Sequence, residues 1–172
     1  MIETARLRLR PGLERDVDGL VAALNDWTVA QWLIQPPYPY RAEDGRQFIR
    51  STSSEHGIGG RYIIADRHSD ALLGVIALSP AGDRAELGYW LCLAAQRQGY
   101  MREAAAALLG RAARRAGGVH TVFATTDPDN LPSQAVLLAL GFEQRGEQAR
   151  PTPSRRNHSL LRLFEAPLAA FA

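Results

Sequence analysis

Polar and apolar residues alternate at the start of the chain. In "ARLRLRP" the arginines flank Leu7 and Leu9, which predicts a half-buried strand ended by Pro11. The period then changes: Val17, Leu20, Val21 and Leu24 recur at helical spacing behind Asp16, an expected N-cap. "WTVAQWLIQPPYPYRAEDGRQFIRS" predicts a short helix, a proline-rich bend at 36–39 and a second helix to about Ser51, followed by a loop, "STSSEHGIGG". "RYIIADR" and "ALLGVIALS" are β-rich runs that predict a hairpin, and "RAELGYWLCL" a further strand. An alanine-rich helix from about Gly99 to Ala116 precedes a buried strand, "VHTVFATT", and a loop, "DPDN". "LPSQAVLLAL" predicts a helix stopped at Gly141, and "FEQRGEQ" and "HSLLRLF" two strands joined by a loop over 149–157. Strands first, then β-α-β-α-β, predict a mixed α/β sheet in one domain.

Composition narrows the class. With 172 residues, 46% hydrophobic and 22% charged, the chain reads as globular. No apolar run approaches a membrane span, and "MIETARLRLRP" lacks the apolar segment of a signal peptide. A lone cysteine, Cys92, excludes an internal disulfide and suits a reducing cytosol. All 20 basic residues are arginine, so an anion site must use guanidinium groups or backbone. The charges are scattered and the net charge is only +2, a weak nucleic-acid footprint. His56, His68, His120 and His158 show no metal-ligand spacing, so no metal is expected.

"QRQGYMRE" places a glycine turn directly before the alanine-rich helix. A helix N-terminus leaves amide groups unpaired and carries partial positive charge, which attracts phosphate. Gly99 permits positive φ and a close ligand, and Arg97 and Arg102 add charged donors. On these residues alone the turn is either an anion cradle or an ordinary strand-to-helix connection.

Gln96 and Gly99 stand in register with the Q/R-x-x-G-x-G/A loop of the GNAT acyltransferase superfamily, which "QRQGYM" resembles. "NLPSQAVLLALGF" is similar to that superfamily's late helix, and "AELGYWL" and "PPYPYRAEDGRQFI" to the branch of ribosomal-protein N-terminal-alanine acetyltransferases. These segments run from about Arg6 to Phe164. The resemblance implies one α/β (α+β) domain over 1–172, with a mixed, largely antiparallel sheet, a splayed strand pair and flanking helices. It implies a cytoplasmic acetyl-CoA-dependent N-acetyltransferase, monomer or homodimer, acting on a primary amine of a protein N-terminus or small molecule.

Carried over by position, Tyr89, Trp90 and Leu91 supply the edge that pairs with the pantetheine arm, with a backbone N–H of that stretch for the oxyanion. Arg97, Gln98, Gly99, Tyr100, Met101 and Arg102 hold the pyrophosphate, and Asn130 the cofactor arm. Met101 departs from the small residue usual at its position; its side chain is expected to swing outward. The family's tyrosine acid would fall at Leu137 and is missing, whereas Ser133 matches the serine of the N-terminal-acetyltransferase branch. Ser133 is either the hydroxyl that meets the leaving sulfur or a first-turn serine with a local backbone bond. Glu86 is the candidate base, sharing a strand face with Gly88 and Trp90; its alternatives are a solvated charge or a partner for Arg84. Asp127 and Asp129 are alternative candidates for the base, though turn chemistry in "DPDN" explains them adequately. Trp32, Tyr38 and Tyr40 are candidates for the acceptor wall, with core packing the reading for Trp27 and the alternative for Trp32. Two other readings stay open: an acyl-CoA-binding module without efficient transfer, and a nucleic-acid-binding domain with steeply salt-dependent affinity.

Overall fold

The computed structural model describes residues 1–52, 58–115, 117–149, 155–156 and 159–172. His56, His158, Ala116 and most of the 149–157 loop therefore lie outside the described residues. One sheet of eight strands organises the chain: β1 (Ile2–Glu3), β2 (Leu7–Arg10), β3 (Gly60–Asp66), β4 (Leu72–Ala81), β5 (Arg84–Leu91), β6 (Thr121–Thr126), β7 (Glu143–Ala149) and β8 (Leu160–Pro167). The spatial order is β1-β2-β3-β4-β5-β6-β8-β7, and every pairing is antiparallel except β5 with β6. The helices are α1 (Val17–Asn25), α2 (Trp27–Ala30), α3 (Ala42–Ser51), α4 (Tyr100–Ala113) and α5 (Leu131–Ala139).

Both faces of the sheet are covered, which the central strands record directly. In β3 the run Tyr62 to Ala65 is buried throughout. Tyr62 and Ile64 enter one core with residues of α4 and α5, while Ile63 and Ala65 enter a second core with Leu20, Leu24 and Tyr40. Strands covered on both faces read as continuous apolar runs, as this one does. On α4 the buried apolar side chains are Met101, Ala104, Ala105, Leu108, Leu109 and Ala112, one helical stripe in which alanine lets the axis approach the sheet. The β3–β4 turn is tied by Asp66 Oδ1, which accepts from the amides of His68 and Ser69 and from the Ser69 hydroxyl.

Two details differ from the sequence reading. β1 forms by a short local pairing with β2, and a lengthened β8 arises from long-range pairing with β6, which local pattern does not record. Asp16 stands at the N-cap of α1 but makes no side-chain cap. Its carboxylate instead accepts from Arg10 Nη1 at 2.7 Å and Nη2 at 2.9 Å, and from the Leu13 amide at 2.7 Å. Both side chains are buried, so the forked ion pair outcompetes the local cap; isolating one partner of such a pair costs about 3–5 kcal/mol.

Candidate active site

The site starts from a strand that leaves its neighbour. β5 and β6 pair only over Arg84–Glu86 against Thr121–Phe123, then separate, so Gly88–Leu91 present an edge that β6 does not occupy. A cavity of about 650 Å³ fills the gap. Its walls include Glu86, Gly88, Tyr89, Trp90 and Leu91 of β5, Ala124 to Thr126 of β6, Asn130, Ser133, Arg97 and Met101. Gly88 is exposed, and a Cβ built there meets nothing within 4 Å, which leaves backbone open to a ligand. The Thr126 hydroxyl is buried and has no hydrogen-bond partner among the described residues, an orphan donor in the cavity wall that sequence reading missed. A buried hydroxyl without a partner is costly, so it favours a ligand with an acceptor.

At one end of the cavity lies the mouth of α4. Gln96 donates its side-chain amide to the Leu91 carbonyl at 3.2 Å, fixing the turn to the end of β5. Arg97 has φ 62° and Gly99 φ 77°, so the chain curls through left-handed conformations before the helix. Glu103 N–H donates to Gly99 O at 3.1 Å, leaving the amides of Tyr100, Met101 and Arg102 ahead of that first helical bond. A curl of amides at a helix start has the geometry and the partial positive charge to receive an anion. Arg97 lines the cavity, Arg102 is exposed, and the exposed Gln98 side chain donates to Ala94 O.

Met101 does not swing outward as expected. It is 4% exposed and packed in the core beneath the sheet, with part of its surface at the cavity wall. Met101 belongs to the buried stripe of α4, where its side chain is held by core packing.

A clamp from the N-terminal strand region braces this turn, and no local signal announced it. Arg6 donates Nη1 to Gln98 O at 2.9 Å, donates Nε to Glu103 Oε2 at 2.7 Å, and lies 4.6 Å from the Tyr100 ring centroid. Thr4 Oγ1 and the Arg6 amide both donate to Glu103 Oε1. Burial opposes ionisation of Glu103, but the Thr4 and Arg6 hydrogen bonds outweigh it and hold the carboxyl below its usual range. The one acid in the first turn of α4 is thereby neutralised by a neighbour, away from the anion cradle.

At the other side of the cavity, Asn130 caps α5, its Oδ1 accepting from Ser133 N at 3.2 Å. Ser133 Oγ lies 3.0 Å from the Tyr89 hydroxyl, which also donates to Ser133 O at 3.2 Å. Burial pushes the Tyr89 phenol up to about 12, with the Ser133 hydrogen bond pulling the other way. Leu137 is fully buried. Strand alternation was the available signal for Tyr89: it shares the face of Leu87, toward α5.

Glu86 is half-buried at the cavity wall, on the Gly88–Trp90 face toward α1 and α3. Arg84 goes to Glu165 and lies over the Phe123 ring at 4.3 Å. Asp127 Oδ1 accepts from the Asp129 amide at 3.0 Å, the turn chemistry expected of "DPDN". Trp32 and Tyr40 line the cavity, Tyr40 being buried, with its phenol pushed up to about 12 first by burial and then by Asp44.

Two aromatic assignments need correction. Trp27 is not core: it is 47% exposed, packed edge-on against Tyr38 at 5.4 Å, because the short α2 buries Val29 and Ala30 instead. Tyr38, 48% exposed, lies outside the cavity lining, stacked by Trp27 and by Arg155. Arg155 donates to Ala30 O and Pro36 O, and Arg156 to Gln31 and Asp129 while covering the Trp32 ring. The two arginines fasten the proline bend to the rest of the site.

A family model described as an acetyltransferase (GNAT) domain matches residues 6–143. The chain belongs to the GNAT acetyltransferase family. It is 25% identical over 147 residues to an uncharacterized N-acetyltransferase, YnaD, of Bacillus subtilis, covering 84% of each chain. Among solved structures it is similar to a GNAT-family acetyltransferase from Bacillus anthracis, with TM-score 0.82, 21% identity and 97% and 98% of the two chains covered. It is also similar to RimL, a ribosomal L7/L12 α-N-protein acetyltransferase solved with coenzyme A, with TM-score 0.79, 24% identity and 97% of each chain covered. The mixed sheet with one parallel pair is the GNAT fold.

Proposed function

We propose that this GNAT protein is an acetyl-CoA-dependent N-acetyltransferase of the cytosol, acting on a primary amine, with a protein N-terminal α-amine as the favoured acceptor. The observation that carries this reading is the splay of β5 from β6 beside the α4 amides, in one cavity with Glu86 and Ser133. The exposed Gly88 backbone and the orphan Thr126 hydroxyl fit an amide-bearing arm, and the α4 mouth fits its pyrophosphate. RimL's action on a protein α-amine supports the choice of acceptor.

Bound acetyl-CoA supplies the acyl group as an activated thioester. The chain's residues align, desolvate and manage protons around it. Glu86, on the α1/α3 side, accepts the proton of the incoming ammonium, directly or through water. Trp32 and Tyr40 wall that side and exclude solvent. Cys92 N–H bonds across to β4, so by strand alternation the Leu91 N–H faces the edge that β6 leaves free, where it would stabilise the acyl oxygen. Ser133, on the α5 side of the cavity, would supply the hydroxyl that meets the leaving sulfur.

The test is incubation of the purified protein with acetyl-CoA and amines, including N-terminal peptides and small molecules, with thiol release and acetylated product measured. Peptide α-amines should be acetylated with stoichiometric thiol release. Saturable acetyl-CoA binding with transfer to no acceptor would establish the binding-module reading, which the buried Leu137 in the tyrosine's place favours.

A further inference from the structure

Ser133 is the third residue of α5, where a serine hydroxyl ordinarily turns to local backbone. Here the partner is 44 residues away: the Tyr89 phenol, whose hydrogen-bonding atoms on the other side are both Ser133's own. The Tyr89 ring is packed against the main core from β5, and Asn130 fixes the Ser133 amide, so both hydroxyls are held by rigid elements. Two proton arrangements satisfy this geometry. When Tyr89 donates to the Ser133 carbonyl, Ser133 donates back to Tyr89 and its proton is withheld from the cavity. When Tyr89 donates to Ser133 Oγ, the serine proton is released toward the cavity.

We infer that Tyr89 is a positioning residue for the reaction, orienting and polarising the Ser133 hydroxyl so that it donates a hydrogen bond to the leaving sulfur. The inference rests on the acetyltransferase reading above. It requires no proton transfer through the pair. The phenol, at about 12, is a weaker acid than a thiol, at roughly 8.5, so passing its proton to the sulfur runs uphill by several powers of ten. Stabilising charge on sulfur by an oriented donor has no such barrier, and donation into Ser133 strengthens the serine as a donor.

The test compares CoA with desulfo-CoA by calorimetry at pH 9.5, where the free thiol is largely ionised. The wild-type protein should bind CoA more tightly than desulfo-CoA, and Tyr89→Phe should lower that preference by about tenfold, the scale of one hydrogen bond, without changing desulfo-CoA affinity. A variant with 3-fluorotyrosine at position 89 keeps the shape and strengthens the donor; it should raise the preference even if the phenylalanine variant folds poorly. In turnover, Tyr89→Phe should lower kcat and leave the acetyl-CoA KM unchanged, and should add nothing in a Ser133→Ala background. Equal affinities for CoA and desulfo-CoA in the wild type, or additive losses in the double variant, overturn the inference alone. Failure of both ligands to bind overturns the acetyltransferase reading as well.

Discussion

Replacing Arg6 with alanine should weaken acetyl-CoA binding although Arg6 belongs to neither strand nor helix of the site. The guanidinium holds the Gln98 carbonyl at 2.9 Å, the Glu103 carboxylate at 2.7 Å and the Tyr100 ring at 4.6 Å. A hydrogen bond from a charged donor contributes about 1.5–3 kcal/mol when sheltered. Arg6 is 47% exposed, so solvent screening reduces that to about 1 kcal/mol, with about 0.5 kcal/mol each for the exposed ion pair and the cation–π contact. The total, about 2 kcal/mol, stabilises the curled turn that presents the α4 amides. Its loss corresponds to roughly a 10- to 30-fold rise in Kd. Glu103 remains, held by the Thr4 hydroxyl and the residue-6 amide but without its countercharge, and repels the phosphates further. Calorimetric titration of Arg6→Ala with acetyl-CoA measures the effect, and Arg6→Ala combined with Glu103→Gln should recover part of it. An affinity within twofold of the wild type, in a protein that still folds, refutes the clamp.

Glu86→Gln should lower kcat/KM at neutral pH by roughly 10²–10⁴-fold, and the deficit should shrink as pH rises past about 8, where an α-amine loses its proton unaided. A deficit that is constant with pH shows that Glu86 is not the base. Alkaline stability gives a second pH test. Tyr89 is raised from 10.0 to about 12, so below pH 10 both folded and unfolded chains keep the proton, and stability falls as pH climbs from about 10 to about 12. Two pKa units amount to at most about 3 kcal/mol. Tyr89→Phe should reduce the slope of this part of the denaturation profile, leaving the part that comes from Tyr40; an unchanged slope contradicts the burial of the phenol.

Much of this architecture was legible because period reports burial. Tyr62 to Ala65 read as a continuous apolar run because both sheet faces are covered, and Asn130-to-Gly141 read as a helix because cap and stop residues are local. The curled turn before α4 was legible through Gln96 and Gly99, residues set by backbone curvature. Partners distant in sequence were not legible. Asp16 looked like a cap until Arg10 claimed its carboxylate, and Arg6 reaches Glu103 across 97 positions. Tyr89 was read for its backbone, yet its side chain meets Ser133 on another element. Trp27 misled because large aromatics default to the core, and Tyr38 because flanking prolines do not tell which way a ring faces; the two meet edge-on at the surface.

The account stands on the amides of Gly99 to Arg102 gripping a diphosphate. Titrating ¹⁵N-labelled protein with CoA and following those amide resonances tests it most directly. Large, saturable shifts at Gly99, Tyr100, Met101 and Arg102, together with Gly88 to Leu91, are the expected result. Binding that moves other resonances while those four amides stay in place would contradict it.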